Sequence, residues 1–294
     1  MELPVIFECA DQHIVGILSE GVLDTGVVII VGGPQYRVGS HRQFTLLARQ
    51  LAKAGIPCLR FDYRGMGDSG GEIRDFEDVQ LDIQSAVDYF FQHSPGLKRV
   101  VLWGLCDAAS ASIFYGYTDE RVSGLVLLNP WVRTIEGEAR AYIKHYYMHR
   151  LIDKSLWQKI FSGKFNFYKS IRSLYLMITS ILKKTKSEAN NSSINSATHA
   201  LSGSLPERML QGLQQFNGKI LLILSGDDLT ADEFRDVVGS SREWKRALES
   251  DQITMHTLDE ANHTFSSKTW RNQVETWTVN WLLDNEKKFS VSKP

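Results

Sequence analysis

Cysteine is scarce in this chain: Cys9, Cys58 and Cys106 are the only three in 294 residues. Three thiols cannot build a disulfide framework, and no two of them have metal-ligand spacing, so the fold must rest on its core. Long apolar runs are also missing. No stretch approaches about 18 consecutive apolar residues, which excludes a membrane-spanning helix at the level of sequence. The first residues, MELPVIFECADQH, carry an early acid and lack a basic region before an apolar core, so no signal peptide is expected. Net charge is nearly absent, at −1, which predicts no overall pull toward nucleic acid. No internal repeat is visible. A reducing cytoplasm is the expected compartment, and it would keep a reactive thiol usable.

What is present is ordinary for a globular protein: 43% hydrophobic and 23% charged residues, enough to bury a sizeable core. Leu3 to Cys9 and His13 to Leu18 alternate around Ala10-Asp11-Gln12, as in an antiparallel hairpin at a sheet edge. Val27 to Val31 is a continuous β-branched run suited to a strand buried on both faces. Gln43 to Ala54 has helical spacing and ends at Gly55. Ile56 to Phe61 reads as a strand, Asp62 to Gly71 as a Gly-rich loop, and Phe76 to Phe91 as an amphipathic helix. Strands follow at Lys98 to Trp103, Val122 to Leu128, Lys219 to Leu224 and Ile253 to Leu258. Helices are expected over about Asp232 to Ser250 and Trp270 to Leu283. This alternation predicts an α/β fold, a mostly parallel central sheet with helices on both faces. The core is expected over 1–130 and 218–294.

Between them, 131–217 breaks the rhythm. It carries about a dozen Lys and Arg against three acids before Ser187, and then a polar stretch ending near Ser204. We read it as an inserted helical cap. Within it, 168–186 places apolar residues at helical spacing beside basic ones; a lid over a pocket is the plainer reading, and weak membrane-surface contact the other. His145 and His149 have the spacing of a metal pair, but no third ligand accompanies them, and no metal or other cofactor is expected.

The segment 98–117, KRVVLWGLCDAASASIFYGY, carries the chemistry. Strand, tight turn and helix with a nucleophile at the apex is the arrangement usually spelled G-x-S-x-G. Here Cys106 replaces Ser, and Ala108 replaces the second Gly. A lone Cys in an apolar segment is most often a small buried hydrophobe, so the surrounding order of residues must decide. An acid follows at Asp227 or Asp228 after one strand, and His263 follows the last strand. Asp228 is preferred because it stands one residue removed from Gly226. A free thiol, with a pKa of about 8.5, is only a few per cent thiolate at neutral pH, so Cys106 needs His263 as base and Asp228 to orient it. The N–H of Asp107, next after the apex, is the first expected oxyanion donor. The second should come from the loop after Val31; Pro34 has no N–H, which leaves Gln35. Gly33 and Trp131, at strand ends facing the same side, are expected to line the substrate pocket. The carboxylate of Asp107 opposes thiolate formation unless it points away; a hydrogen bond within the helix N-terminus is the other expectation for it.

With these residues assembled, the chain resembles the α/β-hydrolases over nearly its whole length, in its nucleophile–acid–histidine order and in the loop DYRGMGDS. More narrowly, GGPQYRVGSHRQF, FDYRGMGDSGG, GLCDAAS, SGDDLTADEF and HTFS resemble the type 1 hydrolases associated with exosortase A systems. The resemblance implies a Gram-negative context near exopolysaccharide and PEP-CTERM sorting genes, and it carries Cys106, Asp228 and His263 onto nucleophile, acid and base. The resemblance implies context more than chemistry; the triad itself predicts a hydrolase acting on a small-molecule ester or thioester through a Cys106 acyl-enzyme. Two alternatives stay open: acyl transfer to a sugar hydroxyl, and a non-catalytic membrane-surface or partner-binding role.

Overall fold

The computed structural model describes residues 1–132 and 201–289. Its first two strands, β1 (Glu2–Cys9) and β2 (Gln12–Ser19), pair as an antiparallel hairpin. The turn is made by Ala10 and Asp11, both at positive φ. Six strands follow: β3 (Thr25–Ile30), β4 (Cys58–Phe61), β5 (Arg99–Leu105), β6 (Val122–Leu128), β7 (Lys219–Asp227) and β8 (Ile253–Asn262). Together they form one eight-stranded sheet in the order β1-β2-β4-β3-β5-β6-β7-β8. The hairpin joins antiparallel at β4, and every later neighbour is parallel.

Every residue of β3, β4 and β5 is buried, so both faces of the sheet centre are covered and the continuous apolar run of Val27 to Val31 has its explanation. The covering helices are α1 (Gln43–Lys53), α2 (Gln80–His93), α3 (Asp107–Gly116), α4 (Leu205–Gln215), α5 (Leu229–Ser240), α6 (Arg242–Leu248) and α7 (Lys268–Phe289). Helix α1 packs with α7, and α2 with α3. This is the α/β-hydrolase fold, a mostly parallel sheet with one antiparallel end. From β3 the chain passes first to β4 on one side and then to β5 on the other. The order therefore reverses between β3 and β5, and the crevice at their C-terminal ends is where such sheets hold ligands.

Two elements differ from the sequence expectation. The charged helix expected over 232–250 is two helices. Ser241 leaves helical geometry (φ −120°, ψ 130°), and its Oγ accepts the N–H of Trp244 at 3.3 Å, capping α6. A side-chain cap inside a charged run competes with helix continuation, which helical periodicity does not reveal. Strand β8 also runs through Asn262, where Asp259 to Asn262 reads as loop. A bulge between Ser225 and Asp227 lets β7 pair with Asn262 and so extends both strands.

The chain divides into two compact units, Met1–Val132 with Pro206–Pro294, and Arg133–Leu205. The sheet and the helices on it form the first. Most of the insertion read at 131–217, including the basic helix 168–186, His145 and His149, lies outside the described residues. Its last stretch is α4, which goes with the first unit: Met209 and Leu213 are buried, and Gly212 lies against Ile113 of α3. Arg208 of α4 pairs with Glu77. Among the described residues, no helix is long and apolar enough to cross a membrane.

Candidate active site

The apex between β5 and α3 is Cys106, at φ 65° and ψ −124°. A non-glycine residue at positive φ is strained, and the strain persists only where surroundings hold it. They do so here with backbone hydrogen bonds. The Cys106 N–H donates to the Leu128 carbonyl at 2.9 Å, and the Cys106 carbonyl accepts the N–H of Ala109 at 3.0 Å and of Trp131 at 3.2 Å. The turn is tight enough that a Cβ on Gly104 would stand 2.4 Å from the Ala108 carbonyl oxygen, so position 104 admits glycine alone. Ala108 is tolerated two residues after the apex: its side chain is buried and borders Gly32 across the turn. Cys106 is half-buried, whereas Cys9 and Cys58 are buried.

At the ends of β7 and β8, the structure brings Asp228 and His263 together. His263 Nδ1 lies 2.9 Å from Asp228 Oδ2. Asp228 is also the N-cap of α5, its Oδ1 accepting the Thr230 N–H at 3.2 Å and its Oδ2 the Ala231 N–H at 3.1 Å. Burial works to raise its pKa, but the hydrogen bond and charge of His263 and the two helix amides outweigh it. The carboxyl is held below its ordinary value. An ionised carboxylate accepts only, so the proton on Nδ1 faces Asp228 and leaves Nε2 as the free basic nitrogen. Asp227 is exposed at the strand end, and it is the Asp228 carboxylate that meets His263.

Asn129, which the sequence reading passed over, ties these parts together. It is fully buried at φ 43°. Its Oδ1 accepts the Ser225 N–H at 2.9 Å, and its Nδ2 donates to Ser225 Oγ at 2.8 Å and to the His263 carbonyl at 3.0 Å. Leu128, one residue earlier, holds the Cys106 N–H. One buried amide thus connects the end of β7 and the His263 loop to the strand end that braces the apex. The only hint in sequence was an Asn at a strand end, where positive φ suits that residue.

The other predicted residues sit around the crevice. Trp131 is linked to the apex through its N–H and to α3 through its carbonyl, which accepts the Ser110 hydroxyl at 2.7 Å. Gly33, at φ 56°, has open space where a side chain would be. Gln35 uses its side chain inside its own loop, Oε1 accepting the Ser40 N–H at 3.0 Å. In the same loop the Gly33 N–H donates to Asp107 Oδ2 at 2.9 Å. Asp107 Oδ1 accepts the Ala108 N–H at 2.9 Å. The Asp107 carboxylate therefore points back into the turn, bonded at the N-terminus of α3. A chain of ion pairs steadies this region. Arg37 pairs with Asp62 and Asp68, and Arg64 is bound twice through its side chain and once through its N–H to buried Asp82 of α2.

The sequence profile of the serine aminopeptidase S33 family matches residues 25–267, well over half the chain. The chain belongs to this family of α/β-hydrolases. Within the S33 frame, the apex residue here is Cys106. Among solved structures, the Pyrococcus furiosus esterase Pf2001 is similar at 16% identity and a TM-score of 0.64, over 97% of this chain and 92% of that one. The α/β hydrolase GrgF from Penicillium sp. sh18 is similar at 17% identity and a TM-score of 0.58, over 98% and 99%. At such identities the likeness speaks to the fold. In sequence, the polyketide transferase GrgF from Penicillium sp. is 31% identical over 108 residues, 35% of this chain. The match spans 37% of that protein's length, a little over a third.

Proposed function

We propose that this S33-family chain is an acyl hydrolase whose nucleophile is Cys106, with His263 as base and Asp228 as its orienting acid. The observation that carries the reading is the hydrogen bond from His263 to Asp228, joined through buried Asn129 to the strand end that holds Cys106 in its strained apex. A solvated loop histidine or a simple core thiol requires none of this.

The proposed cycle runs in two halves. His263 Nε2 takes the proton from the Cys106 thiol, and Sγ bonds to the carbonyl carbon of an ester or thioester. The carbonyl pair moves onto oxygen, where amides of Asp107 and of the loop 33–35 receive it. Collapse breaks the bond to the alcohol or thiol, which leaves with the proton from His263. Water, deprotonated by His263, then attacks the acyl-cysteine, and Sγ departs and regains the proton. Asp228 supports the imidazolium formed in each half. An acyl-cysteine is itself a thioester, so any hydroxyl that reaches it in place of water completes a transfer. The likeness to a protein named a polyketide transferase favours this second outcome. The resemblance to exosortase-associated hydrolases supports a sugar hydroxyl as one such acceptor.

The test is intact-protein mass after brief exposure to a panel of p-nitrophenyl esters and acyl-thioesters. Wild type should gain the acyl mass, Cys106→Ala should not, and His263→Ala should gain it far more slowly. No adduct from any donor, together with a Cys106 unreactive to iodoacetamide at neutral pH, would exclude nucleophilic catalysis.

A further inference from the structure

Amides beside the apex already hold a carboxyl group. Asp107 Oδ2 accepts from Gly33 and Oδ1 from Ala108, both at 2.9 Å. Gly33 and Asp107 are the two positions, one in the loop after β3 and one after the nucleophile, whose amides a carbonyl oxygen would need. The fit is built into the neighbouring residue as well. A Cβ on Gly32 would lie 2.2 Å from Asp107 Oδ1, so glycine at 32 makes room for this carboxylate.

We propose that Asp107 is a specificity-determining residue, a carboxyl side chain that occupies the Gly33 amide, so that a substrate carbonyl reaches this donor only once the side chain has rotated out or taken a proton. The inference rests on the acyl-hydrolase reading above. It implies slow reaction with small, unanchored esters and faster reaction with acyl groups whose remaining contacts offset displacement of the side chain. Burial raises the pKa of Asp107, its amide contacts oppose this only in part, and Asp75 adds to the rise. The ionisable groups acting across this contact are Asp75, before α2, and Tyr63, after β4, itself pushed up mainly by burial.

The experiment measures acylation of Cys106 by p-nitrophenyl acetate, which transfers its acetyl to sulfur and releases p-nitrophenol. Wild type, Asp107→Ala, Asp107→Asn and Cys106→Ala are compared from pH 5 to 9 by intact mass. Since one oxyanion donor is worth about a hundredfold or more in rate, freeing this amide should speed Asp107→Ala by about ten- to a hundredfold at neutral pH, with Asp107→Asn between. The ratio of variant to wild-type rate should shrink toward one as pH falls and Asp107 takes its proton. A residue that merely clamps the loop would give slower variants and a ratio indifferent to pH. Equal or slower acylation in both variants at every pH overturns the proposal and leaves the Cys106 chemistry standing. Absence of a Cys106-dependent adduct in every form overturns both. Thermal unfolding of each variant is followed in parallel, and if Asp107→Ala does not fold, Asp107→Asn carries the same comparison.

Discussion

Burial separates the three thiols by more than exposure. Cys58 is wholly enclosed, and desolvation pushes its pKa up to about 12; Cys9 is raised for the same reason. Iodoacetamide at pH 7.5 should therefore modify Cys106 and spare the other two, which peptide mass mapping reads directly. Asp228 serves two purposes that substitution can part. Asparagine caps helices nearly as well as aspartate, so Asp228→Asn should keep the cap and lose only the charge contact with His263, while Asp228→Ala should lose about 0.5–2 kcal/mol more with the cap. Both should lower acyl-enzyme turnover by about three to four orders of magnitude, because neither can orient and support a charged His263. The pH signs of the two site carboxylates are opposite. Asp228, depressed on folding, lends stability that is present above its unfolded pKa of about 3.9 and is lost as pH falls through the lower folded value. Asp107, raised on folding, lends stability that is present below its unfolded pKa and is lost as pH rises through the folded value.

At the scale of elements, the site depends on strand ends meeting in register. The bulge between Ser225 and Asp227 carries β7 far enough to pair with Asn262, and Asn129 fastens that end to β6. Replacing Asn129 by alanine orphans the buried Ser225 N–H and removes two further bonds. It should cost about 3 kcal/mol, read as a lower urea midpoint at unchanged slope. Such a variant should also slow acylation of Cys106, since the His263 backbone loses its tether. The elbow was legible from sequence because Gly104, Cys106 and Ala108 fall between an apolar strand and an Ala-rich helix, a pattern local enough to read. The reach of β8 was not, because its last residues are polar and only pairing with β7 makes them strand.

Across the molecule, the loops that frame the crevice are braced through charged side chains rather than through the core. Asp82 on α2 holds Arg64, and the loop containing Arg64 holds Arg37 through Asp62 and Asp68. Arg37 lies on the same loop as Gly33. The Arg64–Asp82 pair is buried on both sides, so removing one member strands a charge. Asp82→Ala should destabilise the fold by about 3–5 kcal/mol in denaturant unfolding, and Arg64→Met with Asp82→Leu together should recover much of that loss.

The amino-acid order alone determined the alternation of strand and helix, the parallel sheet that follows from it, and the run of Cys106, Asp228 and His263 along the ends of β5, β7 and β8. Those features depend on local periodicity and on chain order, both written in one dimension. Tertiary structure decided which atoms meet. Asn129 reads as an ordinary strand-end residue until β7 and the His263 loop close on it, and the Gly33 N–H meets the Asp107 side chain only because the loop after β3 folds against the turn. Sequence alone leaves the Asp107 carboxylate either turned from the thiol or bonded within the helix N-terminus; the folded chain gives it the Ala108 N–H of that terminus and also the Gly33 N–H, a bond that exists only once the loop after β3 and α3 are side by side.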